Sequence, residues 1–117
     1  MAEISITPLQ VNTEKNYQVL QVVGEIDRDT IAHLKELMEQ FLGTFASNNL
    51  ILDLQTLMFT NSEGIGYITD VFNRLQAQGK KVIIIQASDR IMDIFNLVGL
   101  NSLIPCLGSE GEAAGTL

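Results

Sequence analysis

The sequence predicts one α/β domain in which a mixed β-sheet of about five strands is packed against helices. Residues 50–54 and 82–85 are short, almost continuously apolar runs, as expected of strands buried on both faces of a parallel sheet. Between them, apolar residues recur at helical spacing from Ile65 to Leu75. Strand, helix and strand therefore predict a βαβ unit with parallel strands and a right-handed crossover.

The N-terminal part predicts a β-hairpin. Residues 4–7 alternate weakly before Pro8, which suits an edge strand because proline cannot donate to a ladder. Residues 17–23 are rich in strand-forming side chains, and the polar run 12–16 supplies the turn between the two strands. From Ile31 to Phe45 an apolar stripe predicts an amphipathic helix.

The C-terminal part predicts a short helix and a last strand. Gly79 is expected to end the helix of the βαβ unit, while Ser88 caps a further helix that ends at Gly99. The apolar segment 103–107 is expected to form an edge strand. Residues 108–117 are small and interrupted by glycine, so we expect a frayed tail.

Composition limits the classes of function. A chain of 117 residues with 46% hydrophobic residues can bury one core, so we expect a single domain over 1–117. Seven basic against 14 acidic residues give a net charge of -7, which disfavours nucleic acid. No basic leader or long apolar run is present, so we expect a cytoplasmic protein without membrane insertion. Cys106 is the only cysteine, which excludes an internal disulfide and favours a buried, apolar role.

The strongest candidate site is the compact polar turn 59–66, which separates a strand from a helix. Asn61 is a good N-cap for that helix, and Glu63 in its first turn favours the positive end of the dipole. Ser62 therefore lies at the N-terminus of the predicted helix. Its hydroxyl is either an ordinary first-turn group or a site where the helix terminus would tolerate phosphate.

Three other groups are candidates for chemistry. Asp27 and Asp29 could hold a cation or act as an acid and base, but a solvated loop that caps the following helix explains them better. His33 is the only histidine and is expected on the surface. Asp53 is either a site carboxylate with a perturbed pKa or a hydrogen-bonded residue near a strand end. A small hydrolase that uses these carboxylates is the rival class.

The remaining residues of the turn have structural explanations. Gly64 and Gly66 are not a phosphate-binding fingerprint, because a third glycine and a P-loop lysine are missing, and close packing of helix on sheet explains both. Met58 and Phe59 are expected in the core, with an apolar docking rim around Ser62 as the alternative. From the residues alone we expect no enzyme, no cofactor and no metal site.

Three blocks of sequence, in this order, carry a resemblance over nearly the whole chain. They are Val-Gly-Glu-Ile-Asp at 23–27, Leu-Asp-Leu at 52–54 followed by Phe-Thr-Asn-Ser-Glu-Gly-Ile-Gly at 59–66, and Leu-Val-Gly-Leu at 97–100. Together they resemble the STAS-domain anti-sigma factor antagonists of bacteria. The resemblance implies a STAS-like mixed sheet flanked by helices. It also implies regulation of transcription by partner switching.

In that mechanism the unphosphorylated protein binds an anti-sigma factor serine kinase and frees a sigma factor, phosphorylation releases it, and a PP2C-type phosphatase restores it. The resemblance places the phosphoacceptor at Ser62. Asn61 replaces the acidic residue of the family pattern, and Glu63 replaces its second hydroxyl. The alternative is therefore a STAS adaptor that is not phosphorylated, such as a stressosome-like scaffold or an accessory subunit of a lipid-transport ABC complex.

The βαβ layout also predicts a partner-binding face. Loops that leave the carboxyl ends of adjacent parallel strands gather at one edge of a sheet, where partners commonly dock. Formation of a homodimer stays open. The residues expected to contact a partner are Asp27, Arg28, Asp29, Thr30, Asn61, Ser62, Glu63, Gly64 and Arg90.

Overall fold

The computed structural model describes residues 2–117 and contains a six-stranded mixed sheet. The strands are β1 Ile4–Pro8, β2 Tyr17–Ile26, β3 Asn49–Asp53, β4 Leu57–Thr60, β5 Lys81–Ile85 and β6 Cys106–Leu107. The helices are α1 Ile31–Thr44, α2 Ser62–Ala77, α3 Asp89–Val98, α4 Leu100–Leu103 and α5 Glu110–Gly115. The predicted mixed sheet with flanking helices is confirmed, and β4 is a strand that the sequence did not predict. None of the helices within residues 2–117 is long and apolar enough to cross a membrane.

The sheet order is β1-β2-β3-β5-β6, and β4 also pairs with β2. The predicted hairpin of β1 and β2 is antiparallel, and the β3 and β5 strands of the βαβ unit are parallel, as expected. In the register, Gln21 of β2 lies opposite Asp53 of β3, which in turn lies opposite Ile85 of β5. β3 pairs with residues 17–21 of β2, and β4 pairs with residues 24–26, so the two strands pair with successive parts of β2.

A glycine is required where β2 passes from β3 to β4. Gly24 has φ 118°, a conformation that side chains with a Cβ rarely adopt, and a Cβ there would collide with the carbonyl of Glu3. The register of β2 against β4 shifts between Gly24 and Glu25. The N–H of Glu25 nevertheless donates to Glu3 O at 2.8 Å, so the hydrogen bonding between β2 and the start of the chain continues past this irregularity.

The central strands are buried on both faces, which explains their continuous apolar runs. One face carries Leu20, Leu50, Leu52, Val82 and Ile84, and it packs against the apolar sides of α1, α2 and α3. The other face carries Tyr17, Val19, Ile51, Ile83 and Ile85, and it packs against Ala113 of α5. Two layers of side chains therefore enclose the sheet, one large and one small.

The predicted helix boundaries are confirmed at α3. The Ser88 hydroxyl accepts a hydrogen bond from the N–H of Ile91 at 3.2 Å, and Gly99 ends the helix with a left-handed φ of 76°. Gly79 also adopts a left-handed φ, of 77°, just after α2.

The prediction of a frayed tail is wrong for residues 110–115, which form α5. Ser109 accepts a hydrogen bond from the N–H of Glu112 at 3.1 Å, and Glu112 accepts one from the N–H of Gly108 at 3.1 Å. This resembles a capping box, except that Glu112 accepts the N–H of the residue before the N-cap, so the Ser-x-x-Glu spacing could have revealed the helix. The Tyr17 hydroxyl donates to Glu110 at 2.7 Å and ties α5 to the sheet.

The predicted last strand is shorter than expected. Only Cys106–Leu107 pair with β5, because residues 100–103 form the helical turn α4 instead. Cys106 is half-buried rather than fully buried, and its thiol donates to Ile104 O at 3.4 Å. Burial raises the pKa of this thiol, which favours its protonated form.

A polar cluster joins α1 to α2 on the outside of the larger layer. Arg74 donates to both carboxylate oxygens of Glu39, at 2.9 and 2.5 Å, and the Tyr67 hydroxyl donates to the same carboxylate at 2.5 Å. Arg74 also lies 3.3 Å from a carboxylate oxygen of Asp70. The hydrogen bonds from Arg74, followed by that from Tyr67, lower the pKa of Glu39 from its ordinary 4.5 to about 2.

We expect Glu39→Gln to lower the free energy of unfolding by up to about 1 kcal/mol at neutral pH, because the half-exposed pair is screened by solvent. The lowered pKa stabilises the folded state above pH 4.5, and this contribution is lost as the pH falls from about 4.5 towards 2. Urea unfolding at neutral pH and near pH 3 measures the effect. Glu36→Gln, on the exposed side of the same helix, is the matched control. If Glu39→Gln lowered the free energy of unfolding by the same amount near pH 3 as at neutral pH, the lowered pKa of Glu39 would be contradicted.

Candidate functional site

The polar turn is held against the end of β2. Thr60, the last residue of β4, lies opposite Ile26, and the N–H of Asn61 donates to Ile26 O at 3.0 Å. Thr60 is buried, and its hydroxyl donates to Asn61 O at 3.2 Å. The chain therefore enters α2 from a fixed position at the carboxyl end of the sheet.

Asn61 caps α2, as predicted. Its side-chain oxygen accepts a hydrogen bond from the N–H of Gly64 at 3.0 Å, and its carbonyl accepts the N–H of Ile65 at 3.2 Å. Ser62 and Glu63 are exposed in the first turn. Within residues 2–117, their backbone N–H groups have no hydrogen-bond acceptor. The hydroxyl of Ser62 thus stands beside two free donors at the positive end of a 16-residue helix.

Close packing explains Gly64 but not Gly66. A Cβ at Gly64 would lie 2.7 Å from Cγ2 of Ile26 and nearer still to the hydroxyl of Thr60, whereas one at Gly66 would meet nothing within 4 Å. The predicted explanation by helix-to-sheet packing is therefore confirmed for the first glycine and wrong for the second. The first turn of α2 rests directly on the end of β2 because Gly64 has no side chain.

The neighbouring loop 27–30 is closed by its own hydrogen bonds. The Asp27 carboxylate accepts the N–H groups of Asp29 at 2.8 Å and Thr30 at 3.1 Å. The Thr30 hydroxyl donates to Glu25 O at 2.7 Å and accepts the N–H of Asp27 at 2.9 Å. The predicted capping of α1 by Asp27 or Asp29 is wrong, because the N-cap is Thr30 and it makes no side-chain cap hydrogen bond; Asp27 instead organises the turn that precedes α1.

The structure brings part of the predicted partner face together. The loop 27–30 follows Ile26 directly, so the hydrogen bond from Asn61 to Ile26 places it beside the turn of Ser62. α3, which carries the exposed Arg90, packs against β4.

Two residues of the predicted face are not available to a partner. Thr30 is 6% exposed, because its hydroxyl closes the loop, and Gly64 is buried against β2. Arg28, Asp29, Asn61, Ser62, Glu63 and Arg90 stay at least partly exposed, as does Asp27.

Met58 and Phe59 lie on the surface, and the expectation that they enter the core is wrong. Met58 is 60% and Phe59 36% exposed, while Leu57 and Thr60 of the same strand are buried. Leu97 and Val98 at the end of α3 are also exposed, at 86% and 56%. The alternative of an apolar docking rim around Ser62, formed by Met58 and Phe59, stays a prediction. A strand of only four residues gave too short a pattern to show which of them faces out.

The carboxylates proposed for a hydrolase do not meet. Asp53 is 7% exposed, and its carboxylate accepts the N–H of Gln55 at 3.0 Å, so it is the hydrogen-bonded strand-end residue of the two alternatives. In the register, Asp53 of β3 lies opposite Gln21 of β2. Asp27 lies six residues beyond Gln21, which is roughly 20 Å in an extended chain. His33 is exposed on α1, as predicted. Within residues 2–117, no group of three or more potential ligands could hold a metal ion.

The chain belongs to the STAS domain family, whose model matches residues 9–113. The expected family is therefore confirmed. A curated relative, the anti-sigma-B factor antagonist of Listeria monocytogenes, is 29% identical over 96 residues, which are 80% of this chain and 82% of the relative.

Solved structures share the fold. The anti-sigma factor antagonist SpoIIAA in its unphosphorylated form superposes with a TM-score of 0.72 at 20% identity, covering 93% of this chain and 92% of SpoIIAA. The Bacillus cell fate determinant SpoIIAA in its phosphorylated form gives a TM-score of 0.67 at 20% identity, covering 96% and 98%. At this identity the likeness shows the mixed α/β fold that the sequence predicted.

We expect Gly64→Ala to destabilise the protein by about 1–3 kcal/mol, because the added methyl group overlaps Ile26 and Thr60. Gly66→Ala is the matched control, since it places the same methyl group in open space two residues away in the same helix. That control should be neutral or stabilising by up to about 1 kcal/mol. Thermal or urea unfolding of both variants measures the difference. Equal stability of the two variants would contradict the close approach of α2 to β2.

Proposed function

We propose that this chain is an anti-sigma factor antagonist that works by partner switching, with Ser62 as its phosphoacceptor. In this proposal the unphosphorylated form binds an anti-sigma factor serine kinase and frees a sigma factor. Phosphorylation of Ser62 by the kinase releases the chain, and a PP2C-type phosphatase restores it. The observation that carries the proposal is the exposed Ser62 hydroxyl at the N-terminus of α2, in a member of the STAS family.

Local geometry supports phosphate at this position. The free N–H groups of Ser62 and Glu63 and the dipole of α2 favour a negative charge at the helix mouth. Asn61 already satisfies the N–H groups of Gly64 and Ile65, so the helix does not depend on the Ser62 hydroxyl. The fold should therefore survive the modification.

Binding of a partner, by contrast, should be lost when Ser62 is phosphorylated. Phosphorylation adds about -1.5 to -2 charges beside Glu63, in a chain that already carries -7. A partner packed on this turn would have to bury that phosphate or face its repulsion. Such unpaired burial costs at least a few kcal/mol, equivalent to about a hundredfold or more in affinity. The switch is thus an electrostatic change at the interface.

The surface around Ser62 suits a protein partner. Met58 and Phe59, the exposed apolar side chains of β4, come shortly before Ser62 in the chain. The charged 27–30 loop follows Ile26, whose carbonyl accepts the N–H of Asn61. An apolar patch with a charged rim is the usual composition of a protein interface. We therefore propose that the chain has a regulatory role rather than a catalytic one. We also propose that it is cytoplasmic.

A STAS adaptor that is not phosphorylated is the second candidate. Asn61 and Glu63 differ from the acidic residue and second hydroxyl of the family pattern, and these two departures are the observation that supports this alternative. Affinity capture from the native cell separates the two functions. Recovery of a serine kinase supports partner switching, whereas recovery of ABC-transporter subunits or a stressosome-like scaffold without a kinase supports the adaptor.

We expect Ser62→Ala to bind the captured kinase permanently and Ser62→Asp to bind it poorly, because a carboxylate places negative charge at the interface. Incubation with the kinase and ATP, followed by intact-mass detection and site mapping, tests the modification itself. Thr69→Ala, on the same helix, is the control and should leave one phosphate per chain. A phosphate mapped elsewhere, or tight binding by the Ser62-phosphorylated form, would refute the mechanism.

We also expect charge reversal on the proposed face to weaken capture of the kinase by about twofold to tenfold while leaving the melting temperature unchanged. Asp29→Lys and Arg90→Glu are the test variants, since both side chains are exposed. Glu14→Lys is the matched control for Asp29→Lys, because its exposed side chain lies in the hairpin turn at the opposite end of β2. Unchanged binding by both test variants would exclude this face.

A further inference from the structure

The outer side of β1 is a free edge of the sheet. β1 stands at one end of the strand order and pairs only with β2. Ser5, Thr7 and Pro8 of this strand are exposed, and Ile6 is partly exposed. An exposed strand edge presents unpaired N–H and C=O groups, to which another extended chain can add.

The hydrogen-bond pattern shows which main-chain groups point outward. The N–H of Leu9 donates to Val19 O at 2.9 Å, and that of Glu25 donates to Glu3 O at 2.8 Å. In an antiparallel ladder, hydrogen-bonded pairs alternate with pairs whose main chain points away from the partner strand. Ile6 lies three residues from each of Glu3 and Leu9, so its main chain points away from β2. Within residues 2–117, its N–H and carbonyl have no hydrogen-bond partner on that side.

The two neighbours of Ile6 at this edge limit how far the edge is open. The main chain of Pro8 also points outward, but proline has no N–H, so only its carbonyl can take part. Ile4 is buried, at 7% exposed, so pairing does not extend to it. The open stretch therefore offers the N–H and carbonyl of Ile6 and the carbonyl of Pro8. An antiparallel segment of about three residues can bond to all of these groups.

A groove between β1 and α1 gives this edge its charge. The groove is open, has a volume of about 350 Å³, and is lined by Ala2, Glu3, Ile4, Asp29, Thr30 and His33. Glu3 and Asp29 are exposed, and their carboxylates form no ion pair within residues 2–117. No lysine or arginine lines the groove, so its charge favours a basic ligand.

A second copy of the chain is a poor occupant of this edge. In a symmetric antiparallel pairing centred on Ile6, Pro8 would lie opposite the Ile4 position of the other copy and could not donate to it. Each copy also carries a net charge of -7, so two copies repel each other. A basic segment of a different protein meets neither obstacle.

We propose that the outer edge of β1 binds a short, extended, basic segment of a partner protein, which adds antiparallel to β1 at Ile6. Ile6 would donate one hydrogen bond and accept another, and Pro8 would accept a third. Ile4 and Ile6 face the layer of α1. Because directly opposed residues of two strands have their side chains on the same face, a lysine or arginine opposite Ile4 would lie towards the groove. There it can pair with Glu3 or Asp29.

This surface goes beyond the proposed function. Binding here requires no phosphate on Ser62 and no kinase, so a failed test would leave the partner-switching proposal intact. Asp29 borders both surfaces, whereas Glu3 and Ile6 border only this one. Variants and signals of β1 therefore test this surface alone.

The probe is a blocked pentapeptide of alternating lysine and threonine that begins and ends with lysine, titrated into the isotope-labelled full chain and followed by amide NMR. We expect saturable shifts at Ser5, Ile6 and Thr7, with slower hydrogen exchange of the Ile6 N–H. Methylation of the central lysine nitrogen should abolish most of the binding, because that N–H points to β1. Methylation of a threonine nitrogen, which points to solvent, is the matched control and should leave most of the binding.

Glu3→Lys should weaken binding of the basic peptide by about twofold to fivefold, as expected for one solvent-exposed pair. Glu14→Lys makes the same charge change at an exposed position of the hairpin turn and should leave binding unchanged. Equal binding of a peptide with glutamate in place of lysine, equal effects of the two methylations, shifts centred on Ser62, or no saturation would overturn the proposal. Ile6 signals that move with protein concentration alone would also overturn it, since a second copy of the chain would then be the occupant.

Discussion

The contact between Gly64 and Ile26 is the constraint on which the candidate site depends. Because Gly64 has no side chain, the first turn of α2 can rest on the end of β2, where Asn61 also donates to the carbonyl of Ile26. A larger residue would lift the helix away from the sheet. The position of Ser62, exposed at the helix mouth and beside the 27–30 loop, follows directly from this approach.

Two opposed electrostatic effects meet at Ser62. The helix terminus offers a local positive potential within its first turn, through free N–H groups and the dipole. At longer range the chain is acidic, with exposed carboxylates such as Asp29 and Glu63 nearby. A negative group can therefore be compatible with the fold and still oppose a partner. This separation of local and long-range effects allows a modification to change binding while the domain stays folded.

Helix α2 connects two surfaces of different character. Its N-terminus lies at the acidic turn of Ser62, and its C-terminal half borders an open groove whose lining includes Gln76, Lys80 and Lys81. Sixteen helical residues separate these ends by about 24 Å. The Glu39, Tyr67 and Arg74 cluster holds this helix to α1 between the two surfaces.

Local patterns in the sequence determined the regular elements and the caps. The runs at 50–54 and 82–85 indicated buried parallel strands because only side chains enclosed on both faces are continuously apolar, and Asn61 and Ser88 marked helix starts because their side chains cap local N–H groups. The Ser109 to Glu112 spacing contained the same kind of local information for α5.

Tertiary structure alone decided which side chains face solvent and which loops meet. Met58 and Phe59 are as apolar as core residues, yet both are exposed where the register of β4 against β2 shifts and Met58 has no residue opposite it. Asp53 and Asp27 look equally available in the sequence, yet the register of β2 against β3 places them far apart. Exposure and proximity arise from contacts between segments distant in the chain, so local sequence patterns do not determine them.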